Sequence, residues 1–157
     1  MRLPVGRISV RHINQMGAQR EMASTGGQVN DQARLTAREF VESWSAETGE
    51  MTSGIAADHM RFACEMGYLR GHGTGLLSAF GTLLRGERPG GVDHVGEVAR
   101  FAAREFVACW RRELGEGLEE PVMDRLRLAY EMGYLRGHGA GLLTSVGLLQ
   151  RMREECT

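Results

Sequence analysis

EMGYLRGHG, residues 65–73, recurs unchanged at residues 131–139, and this repetition decides the fold. The two copies stand 66 residues apart. The same offset carries Ala37-Arg38-Glu39-Phe40-Val41 onto Ala103-Arg104-Glu105-Phe106-Val107, Trp44 onto Trp110 and Gly49 onto Gly115. No gap is needed, and roughly half the aligned positions are identical, so the chain is a tandem duplication of one unit.

Each copy lies in a long helical pattern. The second helix is expected over about Ile55 to Arg85, with Phe62, Met66, Leu69, Leu76, Leu77, Phe80, Leu83 and Leu84 as its inward stripe. Its back is Gly67, Gly71, Thr74, Ser78 and Thr82, where a solvated helix normally carries charged helix formers. Glycine in a helix interior costs about 1 kcal/mol against alanine. Something must offset that cost. Ala63, Gly67, Gly71, Gly75 and Ala79 are each four residues apart, as are Ala129, Gly133, Gly137, Gly141 and Ser145. Such rows let two backbones approach closely. Leucine at Gly71 or Gly137 is expected to clash there, and alanine to be near neutral.

Outward from the repeats, the chain reads as four helices. Residues 1–30 carry Arg2, Arg7, Arg11 and Arg20 before the first acid and hold no persistent stripe, so a flexible basic tail is expected. The first unit spans 31–88. Thr36-Ala37-Arg38-Glu39 has the form of a capping box, Leu35, Phe40, Val41 and Trp44 form a stripe, Gly49 suits the end of the helix, and Thr52 or Ser53 suits the next cap. Gly86 to Gly91 is a linker by composition. The second unit spans 89–157: a helix from about Asp93 to Leu114 with Val98, Phe101, Ala102, Phe106 and Trp110 inward, a loop, then a helix opening at Pro121. The expected fold is all-α: two antiparallel helix pairs in one compact domain, forming a pseudo-two-fold four-helix bundle.

Composition sets the broad class. The 157 residues carry a net charge of −1, which gives no global pull towards nucleic acid or membrane. All basic residues are arginine, a mark of GC-rich coding. Cys64, Cys109 and Cys156 do not correspond between units, which suits free thiols and a cytoplasmic location. No apolar run approaches the roughly 20 residues that span a bilayer.

Chemistry-bearing residues are sparse. Glu65 and His72 share a helix face, as do Glu131 and His138, with Tyr68 and Tyr134 four residues before each histidine. A duplicated Glu–His pair brought together could supply four metal ligands. The bland reading is packing or hydrogen bonding. Arg70 and Arg136 are lone charges on apolar helices, with Glu39 and Glu105 as candidate partners. No nucleophile–base constellation or phosphate loop is present, so neither enzymatic activity nor a cofactor is expected. The residues expected at a partner surface or a close helix contact are Gly67, Tyr68, Arg70, Gly71, His72 and Gly75, with Gly133, Tyr134, Arg136, Gly137, His138 and Gly141.

The succession AREFVESW, a loop, then EMGYLRGHGTGLL resembles the small helical quorum-sensing antiactivators of the QslA type. The resemblance covers each unit but not the N-terminal tail. It implies a bacterial, non-enzymatic regulator that binds a LuxR-type transcription factor and blocks its dimerisation. The duplication would put into one chain what a single-unit homodimer assembles from two. A homo-oligomer is a further option, and a small-ligand or metal-binding protein built on the Glu–His pairs is the alternative.

Overall fold

The computed structural model describes residues 10–49, 54–85, 92–114 and 119–155. Four helices follow in order: α1 Val10–Thr48, α2 Ile55–Arg85, α3 Val92–Leu114 and α4 Glu120–Glu155. Among the described residues all regular structure is α-helix. None of these helices is long and apolar enough to cross a membrane.

The helix ends follow local chemistry. Gly49 has a φ of +67°, a left-handed conformation that suits glycine, and its N–H donates to the Ser45 carbonyl at 3.1 Å. Gly54, at φ +74°, opens α2: its carbonyl accepts from the Asp58 N–H at 3.2 Å. Pro121 falls in the first turn of α4, where the Val122 and Met123 N–H groups both donate to the Glu119 carbonyl. The expected caps Thr52 and Ser53, the Gly86–Gly91 linker and Gly115 lie outside the described residues.

The start of the first helix differs from expectation. Thr36 is buried in the middle of α1, so the Thr36–Glu39 box caps nothing. A capping pattern marks a helix start only if the preceding residues leave the helix. Here Ala33 and Ala37 are both buried, one turn apart, and the helix runs through them.

α2 and α4 form the centre and run parallel. Gly67 faces Tyr130 and Tyr134, Gly71 faces Tyr134, and Gly75 faces His138 and Leu142, so the contact advances in the same direction along both helices. α1 packs on α2 and reaches α4, and α3 packs on α4. The core is rich in small residues at equivalent places: Ala33 and Ala99, Ala37 and Ala103, Val41 and Val107, Ala63 and Ala129. Larger members also fall at equivalent places, Met60 matching Leu126 and Ala57 matching Met123.

Aromatic residues tie α3 to both central helices. The Phe106 ring stacks on Tyr130 at 4.7 Å, while Phe62 of α2 meets Trp110 edge-on at 5.5 Å. The inward stripes of α1 and α3 are partly as expected: Phe40, Val41 and Ala102 are buried, and Trp44, Phe106 and Trp110 pack against the core. Leu35, Val98 and Phe101 are exposed, while Ala33, Thr36, Ala99, Ala103 and Val107 are buried.

Candidate interaction surface

The glycine rows define the inner face of α2. A Cβ built on Gly71 would overlap the Tyr134 carbonyl oxygen and lie 2.8 Å from its carbon. One built on Gly137 would meet the Tyr68 carbonyl in the same way. Gly67 against Tyr130 repeats as Gly133 against Cys64, and Gly75 against His138 repeats as Gly141 against His72. Each glycine Cα–H therefore points at a carbonyl oxygen of the opposite helix, a weak contact that recurs at close helix crossings. The expectation of near-neutral alanine is corrected here. The clash is with backbone, which cannot swing aside as a flexible side chain can.

Polar side chains line the two flanks of this contact. On one flank His72 is buried, with Nε2 3.3 Å from Thr144 Oγ1 and its ring stacked over Tyr68. On the other, Tyr134 stacks over His138. Thr74 lies 2.8 Å from the Gly71 carbonyl and 2.9 Å from the Tyr134 hydroxyl. The single Thr74 proton goes to the carbonyl, so the phenol donates to Thr74. Burial lowers the pKa of both His72 and His138 below 6.5 and raises that of Tyr68. Cys64 is buried in the same layer, its thiol pushed up to about 12 by desolvation, and is inert as a nucleophile. Cys64 and Cys109 are free thiols.

The alternative metal set does not assemble. Among the described residues no three His, Cys, Asp or Glu side chains converge as ligands would, so Glu65, His72, Glu131 and His138 form no common site. The reason is geometric. On two parallel helices, residues at the same angle from the contact line fall on opposite flanks of it. His72 and His138 are equivalent residues, so the fold separates them.

Arg70 and Arg136 are exposed, and Arg136 stands near Glu39, one of the two expected partners. Arg136 Nη1 stands 3.8 Å from the Glu39 carboxylate across α4 and α1, with both side chains about half exposed, and such pairs stabilise little. Arg70 hydrogen bonds Tyr130, which opposes the upward push of burial on that phenol. A shallow cleft between α3 and α4 is lined by Arg100, Arg104, Arg127, Asp124 and Glu131. Arg127 is already held there by Asp124 at 2.6 Å.

Of the twelve residues singled out in the sequence, the six glycines are consumed by the α2–α4 contact, and Tyr68, Tyr134 and His72 are buried beside it. Compared with family models, curated proteins and solved structures, the chain matches none.

The surface left open is the one expected to be core. Leu84 is 83% exposed, Leu77 71% and Leu143 75%. Phe62, Met66, Phe80, Leu83 and Val146 are also exposed. At 100° per residue, Leu77, Phe80 and Leu84 lie on the side of α2 away from Gly71 and Gly75. Leu143 and Val146 hold the corresponding side of α4. The helix has two apolar faces, and the fold buries the smaller-residue one. The signal for this was present in the spacing of the glycines, which marks the face that another backbone can reach.

Proposed function

We propose that this chain is a non-enzymatic helical interaction module that displays two related apolar faces, on the outer sides of α2 and α4. The observation that carries the reading is the uncovered stripe on α2. Scattered exposed leucines are ordinary, but a continuous helical row with no formal charge between Arg70 and Arg85 marks a surface to be covered. An amphipathic helix of another protein fits such a face through anchors at i, i+3 and i+7.

The reading includes a pseudo-two-fold arrangement of the two units. It is supported by the reciprocal contacts: every α2 glycine against an α4 carbonyl has its counterpart 66 residues on. It also includes a cytoplasmic location, which suits the free thiols at Cys64 and Cys109. Within this class the partner implied by the resemblance to antiactivators is a LuxR-type transcription factor, captured through a dimerisation helix.

Affinity purification from the native host, with wild type beside Leu77→Glu and Leu143→Glu, tests the reading. A stoichiometric protein lost in either variant at unchanged melting temperature supports it. Retention of every partner by both variants contradicts it.

A further inference from the structure

One glycine of the repeated motif meets no neighbour among the described residues. A Cβ on Gly73 would find nothing within 4 Å, and the same holds for its counterpart Gly139. Both nevertheless carry the helix-propensity cost of glycine in mid-helix. Gly73 lies on the outer face of α2, in the middle of the exposed stripe. The inner glycines show what a missing Cβ does in this fold: it lets another helix backbone come close.

The stripe is symmetric about Gly73. Leu69 and Leu77 stand four residues either side of it, Met66 and Phe80 seven, and Phe62 and Leu84 eleven. An antiparallel copy of the same helix crossing at Gly73 would set Leu69 against Leu77, Met66 against Phe80, and the exposed part of Phe62, whose ring also meets Phe106 and Trp110 of α3, against Leu84. An isologous interface requires such self-complementarity, each residue meeting its partner twice. The centre of the face bears no charge, so two copies meet without repulsion.

The area suffices. At roughly 180 Å² for a large apolar side chain, the exposed parts of these residues and the flanking Leu83 come to roughly 600 Å² per copy. Two copies bury roughly 1,200 Å², the lower edge of stable interfaces. On α4 the same pattern about Gly139 is weaker, with Val146 in place of Phe80 and Gln150 in place of Leu84.

We propose that the outer face of α2 pairs with the same face of a second copy of this chain, antiparallel, about a two-fold axis at Gly73. Pairing through α2 alone closes the assembly as a dimer and leaves the α4 face for a different protein. The inference goes beyond the proposed function, since it needs no second protein and uses only one of the two faces.

Sedimentation equilibrium of the full chain at tens of micromolar tests it, with Leu77→Glu/Leu84→Glu alongside. A dimer that becomes a monomer in the double variant, at unchanged circular dichroism, is expected. A second measurement stands apart from that variant's folding: Gly73→Cys, with Cys109→Ser and Cys156→Ser, should cross-link to itself under mild oxidation, and Gly139→Cys in the same background should not. A wild-type monomer, a species larger than a dimer, or cross-linking at Gly139 and not at Gly73 overturns the proposal. A wild-type monomer that still captures a host protein through Leu77 or Leu143 would leave the proposed function standing, which separates the two failures.

Discussion

The inner and outer faces of α2 are both apolar, yet they behave in opposite ways. The inner face offers glycine and alanine and is buried against α4. The outer face offers leucine, methionine and phenylalanine and is largely exposed. By transferred area alone the outer face should have been buried first. What decides the matter is how near a second backbone can come. Glycine rows allow many atoms of two helices into contact at once, and dispersion summed over such a contact is large. A face that is hydrophobic but not buried is then available to something outside the chain.

The largest expected effect comes from filling the inner face. Gly71→Leu should lower stability by more than the roughly 1–3 kcal/mol usual for overpacking, since the obstacle is the Tyr134 backbone. Loss of the cooperative thermal transition in circular dichroism is the expected result. An unchanged melting temperature would mean that α2 and α4 do not meet there.

A flank substitution sharpens the comparison between the two units. Thr74→Ala removes the hydroxyl that accepts from Tyr134 and makes the site resemble its counterpart, where Ala140 stands. A net hydrogen bond of this kind contributes about 0.5–1.5 kcal/mol. Chemical denaturation should show a loss of about that size, and none for Ala140→Thr. Equal losses in both would remove the asymmetry.

On the outer face, Leu77→Gln, measured at submicromolar concentration to keep copies apart, should change stability by no more than about 0.5 kcal/mol, as at other exposed positions. A loss of several kcal/mol in the same denaturation experiment would show that Leu77 is part of the core.

The smallest effect is that of pH. Burial holds His72 and His138 below 6.5, so the folded chain refuses protons that the unfolded chain binds. Above the unfolded value of 6.5 both states are neutral and no penalty arises. As pH falls from there towards the lowered folded values, stability should fall. His72→Gln and His138→Gln together should flatten that slope. An unaltered slope would place the responsible groups elsewhere.

Much of the fold was legible in the sequence, because its strongest signals are local. The bounds of α2, the glycine that ends α1 and the proline that opens α4 all follow from backbone chemistry that neighbours cannot override. The glycine rows also pointed to a close helix contact. The orientation of the leucine stripe was not legible. Periodicity says that Phe62, Leu77 and Leu84 share a face, but not which face the chain itself covers. Leu35 and Phe101 were misplaced in the same way: size suggested burial, while the structure buries Ala33 and Ala99 beside them. The Glu–His pairs looked like a ligand set only until the parallel direction of α2 and α4 separated them.

The central claim is that two glycines two residues apart, Gly71 and Gly73, stand in opposite environments. Denaturant unfolding of Gly71→Ala and Gly73→Ala, at submicromolar concentration to keep copies apart, tests it directly. Gly71→Ala should lose about 1–3 kcal/mol through the clash with the Tyr134 carbonyl. Gly73→Ala, with open space around the new methyl, should gain up to about 1 kcal/mol from helix propensity. Equal shifts in the two variants, in either direction, would contradict the account.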